Sequence, residues 1–392
     1  MSNIEKKILD WIESNIIMVA FVAVSILGLI IRFLSKDYIS GDYTEYLLPW
    51  YETLEKAGGI RGLEEQVGNY NMLYQFLVSI MTYIPIEPLY AYKIQSVIFD
   101  YLLAGTVMLI VRDLSVKNKA ENGLAAYAIV ILSPIVFMDS AMWAQSDAIY
   151  AFFVIASLYC ILKEKYISSF VLLGVALSLK LQAGFILPFY AFIYFYKKRF
   201  SILYFLIIPV MMCVTSIPNV IMGRNVLDVF RNYLEQTSYY EQIARNYPSF
   251  WLIFCNEDLG DSYEMVKNIA IIFTLSVLGM MMLYFIVNKI EMSKKHQLYI
   301  AFLLTYACVL FVPGMHERYG FVYDILAIIV VIMNLKTIPL WGLLNLISLT
   351  TYGKYLFGNI YNVKIFAIIN VANFVLYLIV LVKDMKKGAV VL

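Results

Sequence analysis

Asp42 and Glu45 stand three residues apart in Ser40-Gly41-Asp42-Tyr43-Thr44-Glu45-Tyr46, just after the first apolar run. On a helix that spacing puts both carboxylates on one face. A carboxylate at the start of an aqueous loop, hard against a bilayer, stays ionised yet can reach a reactant carried on a lipid. Its chemistry there is to take a proton from a hydroxyl as that hydroxyl attacks. Other polar groups interrupt apolar sequence further on: Asp100, Trp143-Ala144-Gln145-Ser146-Asp147, Lys180-Leu181-Gln182 and His316-Glu317-Arg318. Lysine, histidine and arginine can meet negative charge as it develops, arginine through a two-pronged contact.

Each residue also has a plainer role. Asp147 fits the N-cap of a helix beginning near Ile149, and Lys180 can snorkel to an interface. His316-Glu317-Arg318 reads equally as an interfacial ion cluster. Glu52, Glu55, Glu64 and Glu65 read as solvated surface.

The elements that must position these groups are set by composition. The chain is 62% hydrophobic and only 15% charged, with a net charge of +2. Repeated apolar runs of this kind are membrane spans, since roughly 20 residues cross the hydrocarbon core. They are placed at 16–34, 94–111, 124–138, 149–162, 166–179, 184–196, 202–221, 268–287, 298–312, 321–333, 338–351 and 365–382. The predicted fold is therefore all-α, a bundle of about twelve spans in one domain over 1–392. The segment 166–179 and its successor 184–196 are short and meet at Lys180, as if turning before a full crossing.

Sidedness follows from the basic residues. Glu5-Lys6-Lys7 precede the first span, which lacks a cleavage pattern and reads as a retained anchor with a cytoplasmic N-terminus. The stretch 71–84 is apolar but short. If it lies flat on the outer surface, the turns with Arg112/Lys117/Lys119, Lys163/Lys165, Lys197/Lys198/Arg199, Lys289/Lys294/Lys295 and Lys383/Lys386/Lys387 all become cytoplasmic. The C-terminus is then cytoplasmic too. Outer loops at about 35–92 and 222–267 form a rim, and Asp42, Asp147, Lys180 and His316 collect on that outer side. An ionisable residue at membrane depth costs about 2.5–3.5 kcal/mol on insertion scales, so Asp100 is expected to line a cavity or hold a partner.

Cys160, Cys213, Cys255 and Cys308 are scattered, and only His296 and His316 are present, so no zinc-like spacing arises. No cofactor is expected, and a divalent metal, though chemically admissible, is not. No glycine-rich phosphate loop points to a nucleotide site. Nothing suggests nucleic acid as a partner.

In order and in side, these motifs resemble the GT-C superfamily of integral-membrane glycosyltransferases over about residues 16–351. The likeness is greatest to bacterial mannosyltransferases related to the GPI mannosyltransferases, and more distant to the dolichol-pathway glucosyltransferases. The resemblance implies that Asp42 is the catalytic acid of the first loop. It implies that Gln145 and Asp147, with Trp143, form the outer motif, and that Lys180 and Gln182 form a Lys-x-Gln motif. Lys180, His316 and Arg318 would bind the donor phosphate. Glu45, Asp100, Asn246 and Glu317 would orient or bind substrate. Asn246 opens Asn246-Tyr247-Pro248-Ser249-Phe250-Trp251, which departs from the family pattern at Ser249.

The implied activity moves a hexose of mannose or glucose type from a polyprenyl-phosphate sugar to a glycan or lipid-linked acceptor, with inversion, at the cell membrane. The competing class is a transporter or flippase of a lipid-linked sugar, which predicts midplane charges and repeats; no repeat is visible. A non-catalytic assembly partner is the third. The many tyrosines and phenylalanines read as an aromatic belt and lipid-facing packing, not as a sugar platform.

Overall fold

Apolar runs free of proline fold into helices here, and proline marks where several of them begin or break. A computed structural model describes residues 1–236 and 241–388. In chain order the helices are α1 (Asn3–Ser14), α2 (Ile16–Leu34), α3 (Leu48–Lys56), α4 (Met72–Met81), α5 (Pro88–Leu114), α6 (Lys119–Leu132) and α7 (Pro134–Phe137). Next come α8 (Asp147–Leu162), α9 (Tyr166–Leu179), α10 (Leu187–Lys197), α11 (Ile207–Thr215), α12 (Ile217–Ile221) and α13 (Asp228–Gln236). The last are α14 (Tyr263–Val287), α15 (Lys294–Phe311), α16 (Phe321–Met333), α17 (Ile338–Phe357) and α18 (Val363–Gly388). Two short strands, β1 (Ala244–Arg245) and β2 (Met315–His316), pair in parallel. The fold class is all-α, as expected. Proline stands in the first turn of α3, α5, α7, α10, α12 and α17, where its missing N–H costs nothing.

Among the described residues four helical runs are long and apolar enough to cross a membrane: α2, α5, Gly260–Val287 and Val363–Lys387. A fifth arises if α6 and the Pro134–Met142 segment count as one span bent by 44°. Pro134 explains the bend, since its ring removes one helical hydrogen bond and clashes with the preceding turn. Helices α8, α9 and α16 have 16, 14 and 13 residues. At 1.5 Å per residue they rise only about 20–24 Å, less than a hydrocarbon core of about 30 Å. Helix α15 is enclosed by protein, every side chain from His296 to Phe311 being buried. Such a helix faces little lipid and can carry polar residues. Helix α4 has 10 residues, about 15 Å, and packs against α3, α5 and α9.

Helix α5 packs on α6 and α8, α8 on α9, and α9 on α11, while α15 sits among α10, α14, α16 and α18. A second apolar cluster, with Tyr43, Leu47, Tyr51, Leu54, Tyr74 and Val78, forms the floor under the Asp42 loop.

Asp100 belongs to this framework, which corrects its assignment to substrate. Its Oδ2 accepts from Arg32 Nε at 2.8 Å and from Ser140 Oγ at 2.5 Å, and all three side chains are buried. Arg32 also donates to the Ile131 carbonyl at 2.9 Å, so the pair ties α2 to α5 and α6. Asp100 is not among the residues lining the main cavity. Asp100→Ala leaves Arg32 buried and unpaired, a change that typically costs about 3–5 kcal/mol. A marked fall in thermal midpoint is expected, largely recovered by adding Arg32→Met. An unchanged midpoint with lost substrate binding would return Asp100 to the site.

Candidate active site

Two π turns deliver the central residues. Asp42 immediately precedes the π turn Tyr43–Leu47, and a second one, Met138–Met142, leads into Trp143. Such turns are rare and concentrate at functional positions. Ala144 follows in the left-handed region at φ 61°, which costs of order 1 kcal/mol or more for a residue with a Cβ. Trp143 and Gln145, on either side of it, reach the same carboxylate oxygen. Trp143 Nε1 donates to Asp42 Oδ2 at 2.9 Å and Gln145 Nε2 at 2.8 Å. Ser40 Oγ donates to the Trp143 carbonyl at 3.0 Å and Ser96 Oγ to that of Gln145 at 2.5 Å, fastening the turn at both ends.

Arg318 is the hub. Its Nη2 reaches Asp42 Oδ2 at 3.3 Å, while Nη1 reaches Gln145 Oε1 at 2.6 Å and Asp147 Oδ2 at 2.9 Å. Its guanidinium lies over the Trp143 ring, 4.8 Å from the centroid. Lys180 Nζ takes the other Asp147 oxygen at 2.7 Å. Both plainer readings therefore fall. Ser146, not Asp147, occupies the N-cap of α8, and Asp147 spends both oxygens on ion pairs. Lys180 is 4% exposed rather than snorkelling. The Tyr355 hydroxyl donates to Asp42 Oδ1, and its ring stacks on Trp143 at 4.4 Å.

A cavity of about 470 Å³ opens onto this cluster, lined by Asp42, Gln145, Lys180, Gln182, His316, Glu317, Arg318 and Tyr355 among others. Trp143 and Asp147 lie behind the wall and hold the groups that form it. Glu45 is exposed on the rim. No hydrogen bond joins it to Asp42 among the described residues, and its place on the rim leaves it in reach of a substrate. The π turn changes the helical spacing that aligned the two carboxylates. Trp143, Gln145, Arg318 and Tyr355 do the orienting instead.

Asn246 lies away from this cluster. Its backbone N–H donates to Glu257 Oε1 at 2.8 Å and its carbonyl accepts from Tyr361, while the neighbouring Trp251 Nε1 donates to the Phe311 carbonyl at 2.7 Å. Asn246 is not part of the cavity wall, but Arg245 is, because β1 and β2 pair Arg245 with His316.

Burial first, then the positive charges of Arg318, Arg245 and Lys180, push His316 down to about 3. That direction favours a neutral imidazole, a hydrogen-bonding group rather than a cation. Burial pushes Glu317 up to about 7, against the pull of Arg318. Its Oε2 has no partner among the described residues. A raised carboxyl favours the folded state fully below about 4.5, and that stability is lost as pH rises through about 7. Glu317→Gln is expected to flatten the pH dependence of the thermal midpoint across this window. An unaltered slope would contradict the assignment.

Sequence reasoning missed Tyr355, Arg245 and Asp139. Asp139 is wholly buried beside Asp147, with no donor to either oxygen among the described residues. Among the described residues no three His, Cys, Asp or Glu side chains converge as a metal site.

Apolar helices around an enclosed, charge-bearing cavity define a membrane protein with a buried polar site. The model of glycosyltransferase family 87 matches residues 69–313, more than half of the chain. The chain belongs to glycosyltransferase family 87, in keeping with the GT-C resemblance. The match contains Gln145, Asp147, Lys180 and Gln182, whereas Asp42 and His316-Glu317-Arg318 lie outside it. A comparison with curated proteins finds no match.

Proposed function

We propose that this glycosyltransferase moves a hexose of mannose or glucose type from a polyprenyl-phosphate sugar to a glycan or lipid-linked acceptor, in one inverting displacement. The observation that carries this reading is the meeting of Asp42, Lys180 and Arg318 at one cavity among apolar helices. The acceptor oxygen attacks C1 and gives its proton to Asp42. The C1–O bond to phosphate breaks, its electron pair goes to the phosphate oxygen, and Lys180 and Arg318 meet that charge. His316, neutral, contributes a hydrogen bond. A lipid phosphate leaves without protonation, so no paired general acid is needed. Family membership favours transfer over the transport of a lipid-linked sugar.

We place the cavity on the outer face of the cell membrane, with both termini cytoplasmic, about twelve membrane-embedded helices and α4 lying flat. The distribution of basic turns and the short reach of α4 support this. In a cysteine-free background, Glu65→Cys is expected to react with an impermeant maleimide from outside and Lys117→Cys only after permeabilisation. The reverse pattern would overturn the topology.

Purified protein in lipid nanodiscs is expected to consume a polyprenyl-phosphate hexose, release polyprenyl phosphate and invert the anomeric centre. Chelator is expected to leave turnover unchanged, because too few ligands converge. Consumption of a nucleotide sugar in place of the lipid donor would reject the reading.

A further inference from the structure

Beside the cavity at Asp42 lies a smaller recess of about 230 Å³ whose lining differs in kind. Tyr46, Trp50, Asn69 and Gln236 line both spaces. Lys180, Arg245, Lys267 and Arg318 line the cavity, but no lysine, arginine or histidine lines the recess among the described residues. Its one charged group is the carboxylate of Glu235. An anion has no partner in such a place, and an apolar chain would strand the amides without hydrogen bonds.

A sugar ring has the complementary surface: an apolar C–H face for an aromatic ring and a hydroxyl edge for amides and a carboxylate. Trp50 is held for this. It meets Tyr70 at 5.4 Å and Tyr46 at 6.0 Å. It also rests on Gly68, where an added Cβ would come within 2.4 Å of the indole. Gly68 has φ 73°, so no side chain is readily accepted there. Gln66 is saturated by Gly68, Tyr70, Arg224 and Asn232 and serves as scaffold. The Asn69 side-chain oxygen is buried with no partner among the described residues. Gln236 donates to the Asn69 carbonyl, which fixes its amide beside the recess. Tyr46 follows Asp42 by four residues, which brings the recess close to the carboxylate.

We propose that this recess is the subsite for a neutral saccharide of the acceptor, its ring on Trp50 and its hydroxyls on Asn69 and Gln236. The proposal rests on the transfer reading above and deepens it by assigning the two reactants to different walls. The phosphate-bearing donor takes the cationic wall and the neutral sugar takes the aromatic one. It also revises, for Tyr46, the reading of the tyrosines as belt and packing rather than a sugar platform.

Saturation-transfer difference NMR on the full chain in nanodiscs tests it, with methyl α-D-mannopyranoside and methyl α-D-glucopyranoside as probes. Ring-proton signals are expected for at least one glycoside in the wild type and in Lys180→Ala, which keeps the recess while losing a donor contact. They are expected to fall to background in Trp50→Ala and in Gly68→Ala, which displaces the indole without deleting it. Thermal midpoints confirm that the variants are folded, and Asn69→Ala replaces any that is not. Absence of signal from both glycosides in the wild type overturns the subsite, as does full signal in the recess variants. A protein that binds a glycoside at Trp50 but consumes no polyprenyl-phosphate hexose keeps the subsite and loses the donor reading.

Discussion

Turnover of an Asp42→Asn variant is expected to fall by at least about 10²-fold while donor binding persists. A general base typically contributes about 10²–10⁴-fold, roughly 3–5 kcal/mol of barrier. The surroundings of Asp42 sharpen the expectation. Trp143, Gln145, Arg318 and Tyr355 all donate to it, three of them to Oδ2. The asparagine oxygen can take the place of Oδ2 and keep those three bonds. Its amide group then meets Tyr355, whose hydroxyl can turn to accept. Shape and position survive, and proton affinity does not. Glu45→Gln is expected to cost little, because Glu45 is exposed on the rim and does not touch Asp42. Near-normal turnover in Asp42→Asn with a dead Glu45→Gln would show that the wrong carboxylate was chosen. Full activity in both would move the chemistry elsewhere.

Arg318→Ala is expected to give the largest combined loss of stability and donor use. It strips one ion pair from Asp42, another from Asp147 and a cation from the Trp143 face. Breaking a buried pair typically costs about 3–5 kcal/mol, because the remaining charge is left uncompensated. Arg318→Lys should rescue only in part, since a point charge cannot serve Asp42, Gln145 and Asp147 through one planar fork. Donor KM and thermal midpoint, measured together, separate the two losses. Adding Asp147→Ala to Arg318→Ala should lower the midpoint further, because it strands the buried Lys180 that Asp147 still holds. Lys180→Ala should weaken donor use as well, far more than Glu52→Ala or Glu65→Ala. Unchanged donor KM and turnover in Arg318→Ala and Lys180→Ala would remove both from the phosphate site.

The residues that stood out in the sequence did so for a physical reason. A charge inside apolar sequence is costly and is retained only with a partner or a purpose. Lys180, Glu317 and Arg318 were legible on that ground, Asp42 by its place at the start of a loop, and Gln145 and Gln182 through the family resemblance; all six line one cavity. The same rule flagged Asp100 but could not name its partner, because Arg32 lies 68 residues away near the end of α2. Tyr355 carried no signal at all, being one of 32 tyrosines. The lowering of His316 comes from burial first, then from Arg318, Arg245 and Lys180, and only the folded chain supplies that burial and brings Arg245 and Lys180 near it. The all-α class was plain from the apolar runs. The number of crossings was not, since α15 owes its stability to protein neighbours and α8, α9 and α16 are shorter than a bilayer.

The double use of Asp147 changes what it means for an anion to enter. Lys180 and Arg318 face the cavity with their charge already met, at 2.7 Å and 2.9 Å, by a carboxylate built into the wall. On the proposed reading, an incoming phosphate would not fill a bare positive hole but would compete with this resident carboxylate for Lys180 and Arg318, as one counter-ion is exchanged for another. Chloride and other weakly bonding monoanions have little to offer in such an exchange, whereas a phosphate group brings several strong acceptor oxygens. Because the exchange takes place among buried groups, bulk salt screens it weakly.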